Sequence, residues 1–64
     1  MKAQQMRELS MEELQRRLDE ALQEAFRLRV QIRAGKAQNP SRLREVRRDI
    51  ARLKTVLAER GVRV

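Results

Sequence analysis

Thirteen arginines and three lysines are the chemically expressive groups of this 64-residue chain, and the chemistry they offer is the holding of anions. A guanidinium is a planar fork that meets phosphate or carboxylate with two parallel N–H bonds, so an arginine excess points to polyanionic partners. Nine carboxylates oppose these cations, leaving a net charge of +7 at pH 7. Cysteine and histidine are absent. Disulfides, thiolate chemistry, the usual zinc ligand sets and the imidazole base go with them. No nucleophile–base pair or ligand cluster remains, so neither an enzyme nor a cofactor or metal is expected. Phe26 is the single aromatic. Stacking modules for single-stranded RNA need several, which leaves phosphate contact and shape as the means of binding a nucleic acid.

The cations are not evenly spread. Residues 1–32 hold six basic and six acidic side chains, whereas residues 33–64 hold ten basic and three acidic. Within the second half Arg44, Arg48 and Arg52 form an i, i+4 ladder, with Arg47 and Lys54 beside it. Like charges at that spacing repel by a few tenths of a kcal/mol each, so an external anion is the better reason for them than a merely solvated face. Arg27, Arg29, Arg33, Lys36 and Arg42 gather further along as a second basic group. Two readings stand for it: another phosphate site, or ion pairing to Glu24 and across the fold. Glu8, Glu12, Glu13, Asp19, Glu20 and Glu24 suit the first turns of a helix, whose dipole favours negative charge.

The elements that must position these groups follow from punctuation and period. Gly35, Pro40 and Gly61 are the only glycines and proline. Between them lie two long segments of good helix formers. Ser10 and Glu13 have capping-box spacing, with Leu9 and Leu14 as a hydrophobic staple, and Gly35 stops the first helix. Asn39 as N-cap with Pro40 at the first helical position opens the second, and Gly61 closes it as the C′ residue. Met11, Leu14, Leu18, Ala21, Ala25, Leu28 and Ile32 alternate by three and four, as do Leu43, Val46, Ile50, Leu53 and Leu57. The two seams predict an all-α, antiparallel two-helix hairpin with a short N-terminal extension. Its parts are expected at 1–9 (N-terminal segment), 10–34 (helix one), 35–39 (turn), 40–60 (helix two) and 61–64 (tail), in a single domain. Arg44, Arg48, Ala51, Arg52 and Thr55 then fall opposite the second seam. So thin a core predicts marginal stability alone and firm order against a partner.

Leu22, Phe26 and Val30 form a separate i, i+4, i+8 stripe well round from the first seam. It is read first as a docking surface for a neighbouring protein or a hydrophobic RNA crevice. The competing readings are a fold-back of Met1, Met6 and Leu9 over it, and simple exposure. No targeting segment or membrane span is visible, and a cytoplasmic address is expected.

The run from Asn39 through Pro40, Ser41, Arg42, Leu43, Arg44, Glu45, Val46, Arg47, Arg48, Asp49, Ile50, Ala51, Arg52 and Leu53 to Lys54 and Thr55 closely resembles the signature of the bacterial large-subunit ribosomal protein twenty-nine family. Met1, Lys2 and Ala3, then Arg7, Glu8 and Leu9, the Glu13–Leu14 pair, Leu28 to Gln31, and Gly35 agree with that family in order and spacing. The resemblance covers nearly the whole chain. It implies a helical hairpin embedded on the large subunit, touching large-subunit ribosomal RNA and ribosomal protein twenty-three near the polypeptide exit tunnel, where chaperones or targeting factors make transient contacts. It also implies a structural component that is not an enzyme. Arg44, Arg47, Arg48, Arg52 and Lys54 match the family's basic second-helix positions. Arg29, Arg33 and Lys36 are added as loop-end RNA contacts, and Leu22, Phe26 and Val30 as the protein-facing residues. Val30 departs from the family pattern, which often has an aromatic there.

Two other classes compete. A dimerising basic coiled-coil module for DNA needs a continuous zipper, which Gly35, Asn39 and Pro40 interrupt. An adaptor for an acidic protein or membrane surface needs an aromatic boundary, and the second helix has none. Neither a membrane nor a small-molecule substrate is expected as a partner.

Overall fold

The computed structural model describes residues 2–36 and 40–62. They form three helices, α1 (Ala3–Arg7), α2 (Met11–Arg33) and α3 (Ser41–Glu59), in a body measuring 39 × 18 × 15 Å. Leu14 and Leu18 near the start of α2 cluster with Leu53 and Leu57 near the end of α3, while Glu24 reaches Arg42 at the start of α3. Early residues thus meet late ones, so α2 and α3 run antiparallel.

Ser10, Gly35 and Gly61 end their helices by the predicted chemistry. Ser10 caps α2, its Oγ accepting from the Glu13 N–H at 3.1 Å. The returning half of the box is absent, because the Glu13 carboxylate is taken by Arg16 and Arg17 instead. Both helices stop in the same motif. At Gly35, φ +71°, the Gly35 N–H donates to the Ile32 carbonyl and the Lys36 N–H to the Gln31 carbonyl. At Gly61, φ +86°, the Gly61 N–H donates to Ala58 and the Val62 N–H to Leu57. These are Schellman caps, and each needs a left-handed residue that glycine supplies without strain. Val62 completes the second by packing on the core near Leu57. The start of α3 differs by one position: Pro40 is the N-cap residue and not the first helical one, and it makes no side-chain cap bond. Asn39, the expected cap, lies outside the described residues.

The N-terminal segment adds an element to the expected hairpin and extension. Residues expected as an extension contain a helical turn, α1, opened by the Lys2 N–H donating to Gln5 Oε1 at 3.1 Å. A lysine ammonium has no acceptor to return that bond, so no local signal of the usual kind announced the turn. Tertiary burial holds it. Met6 inserts among Leu14, Leu18, Leu53, Val56 and Leu57 and is 1% exposed. Arg7 pairs with Glu59 at 3.2 Å, and the Arg60 guanidinium donates to the Arg7 carbonyl at 2.7 Å.

Val56, buried to the same degree, was not in the predicted seam. It sits about 100° round α3 from the line facing α2, so only a third element can cover it. That element is α1. Six large side chains are then buried together at the end of the hairpin remote from its loop, each contributing of the order of 1.5–3 kcal/mol. Towards the loop the seam thins to Ala25 and Val46 as fully buried residues, with Leu28, Ile32 and Leu43 partly exposed.

Candidate nucleic-acid interface

Residues seven apart on a helix lie within about 20° of one another, so α3 can be read as seven lines along its length. Leu43, Ile50 and Leu57, with Val46, Leu53 and Arg60, are the two seam lines. Arg42, Asp49 and Val56 form the next, followed by Glu45, Arg52 and Glu59. The remaining three lines are Arg44, Ala51 and Ala58; Arg47 and Lys54; and Arg48 and Thr55. All three carboxylates of α3 stand on the two lines beside Val56, the flank that α1 covers. Each has an arginine: Glu45 with Arg42 at 3.3 Å, Asp49 with Arg52 at 3.4 Å and Glu59 with Arg7 at 3.2 Å. The three lines on the other flank contain no acid at all. There Arg44, Arg47, Arg48 and Lys54 are exposed and make no ion pair among the described residues.

This flank is also smooth. Ala51 and Ala58 are small, and the Thr55 hydroxyl is turned back to the Ala51 carbonyl at 2.9 Å, so it does not compete for a ligand. Four cations around small residues allow a polyanionic backbone to approach closely.

Arg52 behaves differently from the rest of its predicted ladder. It stands at the edge between flanks, exposed but turned towards Asp49 and paired with it at 3.4 Å. The loop-end group is divided in the same way. Arg42 is fully engaged, with Nη2 and Nε at 2.8 and 2.9 Å from Glu24 Oε1 and Nη1 on Glu45. Its guanidinium is held above the ordinary arginine pKa by the hydrogen bond to Glu24 first, then by that carboxylate's charge and by Glu45. The ion-pair reading of the loop end therefore holds for Arg42. Arg27, Arg29, Arg33 and Lys36 are exposed without an ion pair among the described residues.

Because α2 and α3 are antiparallel, their turns progress in opposite senses when viewed down one axis. The flank of α2 carrying Leu22, Phe26, Val30, Arg29 and Arg33 therefore lies on the same side of the hairpin as the acid-free flank of α3. The other side carries α1 and the ion pairs Glu24–Arg42, Arg42–Glu45 and Asp49–Arg52. The stripe stays open: Leu22, Phe26 and Val30 are 42%, 66% and 50% exposed. The fold-back expected as one reading covers a different surface, since Met6 goes into the seam and Leu9 packs on the same cluster. Met1 lies outside the described residues.

The sequence pattern had no means of finding the places of Met6 and Val56, because each depends on which elements meet, whereas the Glu24–Arg42 contact falls within the ion-pair reading of the loop end. Among the described residues no group of carboxylates is arranged to hold a metal ion, and no helix is long and apolar enough to cross a membrane.

Fold and surface together define a small helical-hairpin protein whose two broad sides differ in charge, one internally neutralised and one cationic. Residues 4–60 match the family model described as Ribosomal L29 protein. The chain belongs to that family, a ribosomal family whose members are structural and not enzymes. Among its relatives are proteins named large ribosomal subunit protein uL29. That of Natranaerobius thermophilus is 48% identical over 64 residues, covering 100% of this chain and 98% of the relative. That of Caldanaerobacter subterraneus subsp. tengcongensis is 55% identical over 60 residues, 94% and 91% of the two chains. The Rubrobacter xylanophilus protein is 53% identical over 60 residues, 94% and 90%.

Proposed function

We propose that this chain is a structural constituent of the large ribosomal subunit, in the cytoplasm, and that it binds large-subunit ribosomal RNA through the acid-free flank of α3. Arg44, Arg47, Arg48 and Lys54 meet phosphates there. Arg52 contributes from the edge, and Arg29, Arg33 and Lys36 extend the contact towards the loop. The carrying observation is the sorting of charge on α3: every carboxylate of that helix is paired with an arginine on one flank, and four cations without an ion pair among the described residues occupy the other. A face kept only for solubility gives no reason for that separation, since mixed signs serve solubility equally well. Leu22, Phe26 and Val30 meet a neighbouring ribosomal protein, and the family resemblance names ribosomal protein twenty-three, near the exit tunnel. That position brings chaperones or targeting factors within reach as transient contacts.

The dimerising coiled-coil alternative loses support because the seams of α2 and α3 are filled by each other within one chain. The test is co-sedimentation with large subunits after a high-salt wash. The chain is expected to stay on the particle in stoichiometric amount, and its absence there with presence in another complex overturns the reading. Substituting Arg44, Arg47 and Arg48 together by Gln is expected to weaken incorporation with helicity preserved. Against a ribosomal RNA fragment the slope of log affinity on log salt should fall by about 0.7–0.9 for each phosphate that the variant no longer neutralises. Unchanged incorporation would mean that another face meets the RNA.

A further inference from the structure

Of the three helices α1 has the narrowest support. Its five residues fall well short of the about 12 at which an isolated helix begins to hold in water, so the turn exists only while it is docked. Its one buried side chain is Met6, 1% exposed among Leu14, Leu18, Leu53, Val56 and Leu57. The other ties are the Arg7–Glu59 pair, about half open to water on both partners, and the Arg60 bond to the Arg7 carbonyl. The two long helices, by contrast, bury Leu14, Leu18 and Ala25 against Val46, Leu53 and Leu57. Their seam therefore outlasts the loss of α1.

The anchor is also the one side chain of the buried cluster with redox chemistry. A thioether takes an oxygen atom from a hydroperoxide. The sulfur lone pair attacks one peroxide oxygen, the S–O bond forms as the O–O bond breaks, and the proton of the transferred oxygen passes to the departing oxygen, which leaves as water or an alcohol. Sulfur is oxidised by two electrons and the peroxide is reduced. The sulfoxide that results is a polar acceptor, and the leucine and valine side chains around Met6 have no donor to offer it, so burial that favoured the thioether now opposes its product. A polar way out lies alongside. A hollow of about 150 Å³ reaches Met6 between the three helices and is lined also by Arg17, Glu20, Glu24 and Asp49. It gives the oxidant an approach and the sulfoxide an exit.

We propose that α1 is a redox-sensitive latch: oxidation of Met6 to the sulfoxide by a hydroperoxide expels it from the cluster and frees α1, leaving the α2–α3 hairpin standing with Leu14, Leu53 and Val56 uncovered. The latch is a property of the chain itself and stands apart from the ribosomal placement proposed above.

The experiment uses the full chain carrying Met11→Leu, which removes the partly buried thioether on α2. Hydrogen peroxide is added, the Met6 sulfoxide is located by peptide mass mapping, and amide exchange is followed by NMR. The N–H groups of Met6, Glu8 and Leu9, which donate to the Lys2, Gln5 and Met6 carbonyls, are expected to lose protection tenfold or more, and those of the α2–α3 seam several-fold less. Adding Met6→Leu, close to volume-conserving and inert to peroxide, should leave the α1 amides protected after the same treatment, although Met1 is still present. Unchanged α1 protection in the Met6 sulfoxide chain, an equal loss along all three helices, loss in the Met6→Leu chain, or no sulfoxide at Met6 where free methionine is oxidised overturns the proposal.

Discussion

Arg42, in the first turn of α3, grips Glu24 across the hairpin with two nitrogens on one carboxylate oxygen, at 2.8 and 2.9 Å. It closes the loop end, where the apolar seam is thinnest. Both side chains are partly open to water, and exposed pairs of this kind contribute about 0–1 kcal/mol. A double-mutant cycle of Arg42→Ala with Glu24→Ala, followed by urea unfolding, is expected to give a coupling in that range that shrinks in 0.5 M salt. The arginine stays cationic at any working pH because its partner raises an already high pKa, so the coupling should be flat through the alkaline range up to pH 10.

Met6 should matter far more than its place in the first turn suggests. Truncating a buried methionine to alanine removes its transfer free energy and leaves a cavity, together about 2–5 kcal/mol. In so small a protein that is a large share of the total. Met6→Ala is expected to move the urea midpoint strongly downward and lower helicity at 25 °C by circular dichroism. A loss below about 1 kcal/mol would mean that α1 is not integral to the fold.

Gly35 and Gly61 offer a cleaner measurement. A Cβ at either position meets nothing within 4 Å, so substitution acts through backbone conformation alone. Gly35→Ala and Gly61→Ala should each destabilise by about 1 kcal/mol, without steric repacking. Gly35→Asn should recover part of the loss, because asparagine tolerates the left-handed region. Thermal melts of the three variants check this.

Ala25 is fully buried where α2 approaches α3. A leucine there has no room without separating the helices, so Ala25→Leu is expected to cost about 1–3 kcal/mol. Improved stability on urea unfolding would show that the seam has spare volume at this level.

The acid-free flank of α3 predicts a response to salt in the free protein. Arg44 and Arg48 stand one turn apart with no carboxylate between them on that flank. Screening should relieve that repulsion, and Arg48→Gln should raise stability by a few tenths of a kcal/mol at low salt and by less at high salt. Melting temperature followed against ionic strength for both proteins decides the matter.

Much of this arrangement was legible in the residues because it is set locally. Gly35, Gly61 and Ser10 act through their own backbone neighbourhood, and the three-four rhythm of the seams needs only one helix at a time to be recognised. What escaped was set by encounter. Val56 looked peripheral because a two-helix frame leaves it facing water, and Met6 looked like part of a tail because a five-residue helix has no periodicity to detect. The basic ladder was visible at Arg44, Arg48 and Arg52, but its division was not: Arg52 belongs with Asp49, a pairing that depends on side-chain direction at the edge of a face. The stripe of Leu22, Phe26 and Val30 was found by spacing, and its sharing of a side with the α3 cations follows only once the helices are known to be antiparallel.

The sorting of the α3 carboxylates onto one flank has a consequence for how the hairpin lands. Turned over about its long axis, the molecule would offer a phosphate surface its own salt bridges and α1, which have little charge to give. Only one way up is electrostatically satisfied. In the proposed contact with RNA the protein would therefore be oriented without reading a single base, much as a key with teeth along one edge enters a lock only one way round.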